Sequence, residues 1–204
     1  MTKTALLLVD LQNDFMPGGA LAVADGDQTV QVANALMPTY ELVVATQDWH
    51  PADHMSFAAN HDGKTPGDMI QLDGLEQVLW PVHCVQGTPG ASFHSALDVG
   101  GIHAVVRKGN DARVDSYSGF FDNGKRHSTG LADMLRDHGV NEVHVMGLAT
   151  DYCVKWTALD ALDEGLVVHL IEEGCRGVNL ASGDAQRAVD DMHKAGIKQL
   201  RVKE

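Results

Sequence analysis

The sequence is short of cysteine, of basic side chains and of long apolar runs. Its three cysteines, Cys84, Cys153 and Cys175, are an odd number with no CxxC spacing, so no disulfide framework is expected. Fifteen Lys and Arg against 28 Asp and Glu leave a formal charge of −13. Nucleic acid and anionic membrane surfaces both demand a cationic footprint, so neither is an expected partner. No stretch approaches the ~20 apolar residues of a membrane span. The N-terminal run Ala5–Val9 is too short for a signal-peptide core and ends at Asp10. A cytoplasmic, reduced protein is the simplest expectation. Neither GxGxxG nor GxxxxGKS occurs; after the first apolar run the chain reads "DLQNDFMPGG", which argues against a Rossmann-type dinucleotide site. There is no internal repeat and no low-complexity segment, and 204 residues suit one domain, 1–204.

What is present is a rhythm. Near-continuous apolar runs recur at 4–10, 41–47, 102–108, 141–148, 166–172 and 197–202, the pattern of parallel strands buried on both faces. Helical spacing fills most of the gaps. Val30, Ala33 and Met37 share one face, as do Val154, Ala158, Ala161 and Leu162. Ala185, Ala188, Val189 and Met192 share another, with Ser182 as a candidate cap. Gly139, Gly165 and Gly196 each follow a helical pattern, where a left-handed residue is expected. Strands alternating with helices predict an α/β protein with a parallel sheet flanked by helices. The stretch from about 48 to 100 breaks the rhythm with His, Pro, Gly and Asp, and long irregular insertions are usually functional.

In open α/β sheets ligands bind beyond the carboxyl ends of the strands. Here those ends carry chemistry. The first strand ends at Asp10, the second leads into Asp48 and His50, the third ends at Lys108, and the fourth leads through "GLAT" to Asp151 and Cys153. Cys153 falls where a helix should begin. Unpaired N–H groups and the positive end of the dipole stabilise a thiolate there, which predicts a thiol pKa below the ~8.5 of free cysteine. A Lys108 ammonium would act in the same sense. Asp10 could take the thiol proton and return it to a leaving amine, and N–H groups near Ala149 and Cys153 could receive an oxyanion. Cys84 and Cys175 lack such a context and read as structural. In "DWHPADH", Asp48 and His50 are two apart and project to one side of an extended chain, with His83 of "WPVHC" closing the set. Carboxylate plus imidazole suits one divalent ion of zinc, iron or manganese. His54 is a candidate fourth ligand, with Ser56 or water as alternatives. "YSGF" at 117–120 lines a pocket or forms a turn.

The segments "LLLVDLQNDFMPGGALAV", "ATQDWHPADHMSF", "WPVHCVQGTPGASFH", "RKG", "YSGFF" and "GLATDYCVKWTALDA" together resemble the nicotinamidases of the isochorismatase-like cysteine hydrolase superfamily, over nearly the whole chain and in order. The resemblance implies a three-layer fold with a six-stranded parallel sheet, and hydrolysis of nicotinamide to nicotinate and ammonia in NAD salvage, with pyrazinamide as a side substrate. It implies a triad of Asp10 as proton shuttle, Lys108 as stabiliser and Cys153 as the nucleophile forming a thioester. It implies a divalent metal on Asp48, His50 and His83, at times with the residue at His54, that positions the pyridine ring. It places a non-proline cis peptide at Leu148–Ala149, an oxyanion hole at Ala149 and Cys153, and pocket walls at Phe15, Leu21, Trp80 and Tyr117. Residues 60–76 vary among relatives and read as a lid. The sequence leaves open whether the chain forms a homo-oligomer.

Overall fold

The computed structural model describes residues 3–202. Six parallel strands form one sheet in the order β5-β2-β1-β6-β7-β8. They are β1 (Thr4–Val9), β2 (Leu42–Asp48), β5 (Ala104–Lys108), β6 (Glu142–Leu148), β7 (Val167–Arg176) and β8 (Lys198–Gln199). A separate antiparallel hairpin joins β3 (Met69–Leu72) to β4 (Leu75–Val78). The α-helices are α1 (Gln28–Leu36), α2 (Leu131–Asp137), α3 (Lys155–Asp163) and α4 (Asp184–Ala195).

Every residue of β2 and all but the first of β1 are buried. Consecutive strand residues face opposite ways, so both faces of the sheet are covered. That is why these strands read as unbroken apolar runs. The core follows from them: Ala5 to Val9, Val43, Val44, Val143, Val145, Leu170 and Ile171 are at most 3% exposed. No helix among the described residues is long and apolar enough to cross a membrane.

Strand order decides where chemistry gathers. From β1 the chain builds outward through β2 and β5, then returns to the other side of β1 with β6 and continues through β7 and β8. The carboxyl ends of β1 and β6 therefore flank the switch point, where connections leave in opposite directions and open a crevice. Asp10 follows β1 and the Ala149–Cys153 turn follows β6.

Several details depart from the sequence expectations. The last strand spans only Lys198–Gln199, not 197–202. Residues 69–78 form a hairpin whose turn places Asp73 at φ 49° and Gly74 at φ 84°. Asp-Gly between short strands is the signature of this turn, and the expected irregular segment passed over it. Helix α4 begins after Gly183 at φ 83°, with no side-chain cap on the Ncap residue. Ser182 does not cap; instead Asp184 reaches back to accept the N–H of Ala181 at 2.7 Å. Gly139, Gly165 and Gly196 all adopt positive φ, as their positions require.

Gly147 in β6 is different in kind. Its φ is 130°, and a Cβ there would lie 2.1 Å from the Val9 carbonyl oxygen of the neighbouring strand. It sits where the β6–β7 register shifts, between Val145 and Gly147. Gly147→Ala should therefore destabilise the protein by about 3 kcal/mol or more, through backbone strain and a clash with backbone that cannot yield. Urea denaturation followed by circular dichroism measures this; an unchanged midpoint would contradict the packing.

Candidate active site

Lys108 ends β5 and is 1% exposed. Its ammonium has three N–H directions, and all three are used. They point to Asp48 Oδ1 at 2.5 Å, the Ser116 carbonyl at 3.0 Å and Cys153 Sγ at 3.3 Å. Asp10 Oδ2 is also 2.9 Å from Nζ, so the same ammonium pairs with both buried carboxylates. The other oxygen, Asp10 Oδ1, accepts the Thr46 hydroxyl at 2.6 Å, and Thr46 Oγ1 accepts the Asp10 N–H at 3.2 Å. Asp10 is thus held through its backbone and one oxygen, while the second faces the ammonium. Its backbone sits at φ 52°, a conformation that non-glycine residues adopt at a cost of order 1–3 kcal/mol and that is concentrated at functional sites.

Asp10, Lys108 and Cys153 are therefore brought together as the strand ends predicted. The local setting of the thiol differs. Residues Thr150–Val154 form a single π-helical turn, and the regular helix α3 starts only at Lys155. Burial pushes the Cys153 thiol well above its ordinary range, and Asp10 and Asp48 add to the rise against the opposing pull of Lys108. The expected depression is overturned. Cys153 is only 6% exposed, and it is this burial, more than the two carboxylates, that overcomes the pull of Lys108. Burial also raises the Asp10 carboxyl, with Lys108 pulling it back. The rise at Asp10 makes it a better proton acceptor than an exposed carboxylate, while the rise at the sulfur acts in the opposite sense.

Beside the triad, Asp48, His50 and His83 bring one ligand atom each within 4.8 Å of one another, all buried. Asp48 Oδ2 lies 3.5 Å from His50 Nε2 and 3.8 Å from His83 Nε2. The outer ring nitrogens are tied down. His50 Nδ1 meets the Gly109 carbonyl at 3.0 Å and His83 Nδ1 the Pro81 carbonyl at 2.8 Å. Both bonds place the proton on Nδ1 and leave the Nε2 lone pairs facing the carboxylate, the arrangement found around ligated metals. His50 Nε2 is buried without a hydrogen-bond partner. Burial and the neighbouring His50 push His83 down to about 4, so its imidazole is neutral at pH 7. Burial alone would raise the Asp48 carboxyl, but Lys108 and His50 hold it well below the carboxylate range. One ionised carboxylate and two oriented imidazoles fit a divalent cation. His54 stands beside His50, ring centroids 4.4 Å apart, with Nδ1 on Ser56 Oγ at 2.7 Å and Nε2 unpaired. Its ligand atom groups with those of His50 and Asp115 rather than with Asp48 and His83.

The residues expected to wall the pocket pack as follows. Phe15 meets the His83 ring edge-on at 5.6 Å, and Trp80 donates its indole N–H to the Tyr117 hydroxyl at 3.3 Å. Leu21 is half-buried against the core. The peptide Leu148–Ala149 is cis, and the Ala149 carbonyl accepts the N–H groups of Tyr152 and Val154.

A pattern search over residue types misses several contributors. Gln12 clamps the backbone of Asp48, accepting its N–H and donating to its carbonyl, both at 2.8 Å. Tyr152 packs edge-on against Trp80 at 4.8 Å and Tyr117 at 5.3 Å. Gln77 of the β3–β4 hairpin reaches Asp115 and Tyr117. The 60–76 segment thus leads into a hairpin that touches the pocket wall. None of these carries a signal in sequence, because each acts through a contact 35 to 72 residues away, Gln12 by way of the Asp48 backbone. Cys84 and Cys175 are buried and structural: Cys84 N–H donates to Asp14 Oδ2 and Cys175 Sγ to the Ile171 carbonyl.

The isochorismatase domain model matches residues 4–204. The chain belongs to the isochorismatase-domain family. It is 56% identical over 202 residues to the nicotinamidase of Escherichia coli, covering 96% of this chain and 93% of that one. A solved Acinetobacter baumanii nicotinamidase pyrazinamidase superposes with a TM-score of 0.95 at 46% identity, covering 98% of this chain and 97% of that one. The Pyrococcus horikoshii pyrazinamidase, solved in complex with zinc, gives a TM-score of 0.80 at 37% identity, covering 98% and 99%. The six-stranded parallel sheet flanked by helices is the fold of these hydrolases.

Two outcomes test the geometry. Gly109→Ala should lower divalent-metal affinity about 10- to 100-fold, since a Cβ at φ 69° would stand 2.4 Å from the His50 ring and displace its anchor. Equilibrium dialysis reads this, and unchanged affinity would contradict the role of the Gly109 carbonyl. Because the raised pKa keeps the thiol protonated at neutral pH, iodoacetamide should label Cys153 more slowly than free cysteine at pH 8, with the rate still rising above pH 9. A plateau below pH 7 would show a thiolate instead.

Proposed function

We propose that this chain is a nicotinamidase, a single-domain cytoplasmic amidohydrolase that converts nicotinamide to nicotinate and ammonia in NAD salvage and also accepts pyrazinamide. The observation that carries the reading is the placement of Lys108. One ammonium contacts the thiol, the Asp10 carboxylate and the metal-type carboxylate Asp48. A small substrate touching the sulfur is then within reach of the Asp48, His50 and His83 cluster. The kinship with nicotinamidases supports the choice of amide.

A divalent cation on Asp48, His50 and His83 supplies a Lewis-acid anchor for the pyridine nitrogen. The zinc complex of the Pyrococcus horikoshii relative favours zinc, while two imidazoles and one carboxylate suit zinc and iron alike. Aromatic walls at Phe15, Trp80 and Tyr117, with Leu21 beside them, hold the flat ring.

Cys153 Sγ attacks the carboxamide carbon while its proton passes to Asp10 Oδ2, the oxygen beside Lys108 that Thr46 does not occupy. The oxyanion is received by backbone N–H groups of Ala149 and Cys153. On collapse the C–N bond breaks, and Asp10 returns the proton to the leaving amine, which departs as ammonia. Water then attacks the thioester and gives its proton to Asp10. Collapse frees nicotinic acid and the thiolate; Asp10 reprotonates the thiolate, and the acid gives its proton to solvent, leaving as nicotinate. Lys108 remains cationic throughout, since Asp10, Asp48 and Cys153 raise its pKa well above the ordinary value despite burial. Its charge stabilises the sulfur whenever the proton is on Asp10.

Cys153→Ala and Asp10→Asn should each lower ammonia release from nicotinamide by about 10³-fold or more, the usual scale for removing a nucleophile or its base. Substantial turnover by Cys153→Ala would instead indicate direct hydrolysis by a metal-activated water. Full activity on other small amides with none on nicotinamide would assign a different substrate within the family.

A further inference from the structure

A second cluster of metal-type ligands lies at the opposite end of the sheet. Glu142 and His144 are two apart on β6, so they share a face, and β7 places His169 directly beside His144 in register. The three bring one ligand atom each within 4.8 Å of one another. One oxygen, Glu142 Oε1, lies 2.8 Å from His144 Nε2 and 3.5 Å from His169 Nδ1. Ligands held about 2.1 Å from a zinc ion stand roughly 3.0–3.4 Å apart, so only small side-chain shifts separate this cluster from a coordination shell.

Two further features distinguish it from a simple hydrogen-bond network. His169 Nδ1 is buried and, among the described residues, has no hydrogen-bond partner, its 3.5 Å approach to Glu142 being outside bonding geometry. His144 Nδ1 meets the Tyr40 hydroxyl at 2.6 Å, which leaves Nε2 to face the carboxylate and fixes the ring as an outer partner does at metal sites. The side chains are 13% to 20% exposed, so an ion can enter and keep a water.

We propose that Glu142, His144 and His169 form a second divalent-cation site of the zinc type, oriented by Tyr40 and separate from the catalytic centre. It lies at the start of β6, and the six residues to Leu148 put it about 20 Å from the cis peptide of the active site. One carboxylate and two imidazoles leave a position for water. The site ties β6 to its neighbour β7 at the end of the sheet where the catalytic crevice does not reach.

Dialysis of the full-length protein against buffered micromolar zinc, with bound metal counted by mass spectrometry, should find two equivalents per chain. His169→Gln and Glu142→Gln should each retain one equivalent, full amide hydrolysis and an unchanged circular dichroism spectrum. His50→Ala should lose the other equivalent. A single equivalent in the parent that disappears with His50→Ala would overturn the proposal, as would a stoichiometry untouched by both His169→Gln and Glu142→Gln. Cobalt added to His50→Ala reads the site without altering its own ligands. Visible d–d bands of a low-coordinate ion are expected, and the spectrum of aqueous cobalt would overturn it.

Discussion

The buried ammonium of Lys108 is the constraint on which the rest of the site depends. It lies between two carboxylates and a sulfur with almost no access to water. Moving an ammonium out of water costs several kcal/mol even after relaxation, and removing one partner of a buried pair commonly destabilises by about 3–5 kcal/mol. Such a charge persists only because the fold delivers Asp10, Asp48 and the Ser116 carbonyl to it at contact distance. The same geometry partitions the oxygens. Asp10 Oδ1 is taken by the Thr46 hydroxyl, so Oδ2, beside the ammonium that also touches the sulfur, is the oxygen placed for proton transfer.

The charge balance also links the two halves of the site. Two ionised carboxylates around one ammonium leave a net negative cluster. Burial alone would keep His50 unprotonated, yet Asp48 raises its pKa, so without a cation the imidazole tends to hold a proton. A divalent ion on these residues would take the place of that proton and offset the charge of Asp48. Its ligand nitrogens are already oriented by the Gly109 and Pro81 carbonyls, and Gln12 fixes the Asp48 backbone, so little ordering remains to be done on binding. The thiol, raised by burial, is not a resting thiolate. It becomes a nucleophile when its proton moves to Asp10, which couples activation to attack and protects a buried sulfur from adventitious oxidation between turnovers.

Much of this was legible in the residues because parallel strands are written plainly. A strand covered on both faces must be apolar throughout, and the polar residue that ends it is then conspicuous: Asp10, Asp48 and Lys108 were found in that way. Asp-x-His spacing was legible for the same geometric reason. The hairpin at 69–78 is announced by Asp73-Gly74 but masked by the Gly, Pro and His that surround it. The direction of the Cys153 shift is hidden for another reason. A helix start argues for a thiolate only where the sulfur is solvated or outnumbered by cations, and neither burial nor the proximity of Asp48 can be read along the chain.

The sequence by itself determined the α/β alternation, the strand ends that carry acid, base and thiol, and the spacing of the metal-type histidines, because periodicity and motif order are local properties of the chain. Only the tertiary structure decided which groups meet, which Asp10 oxygen faces the ammonium, how Gln12, Thr46, Gly109 and Tyr152 hold the site, and that Glu142, His144 and His169 converge at the far end. Those outcomes depend on strand order and register. Pairing β1 with both β2 and β6 brings residues 36 to 138 positions apart within a hydrogen bond of one another, and no spacing along a single strand encodes it.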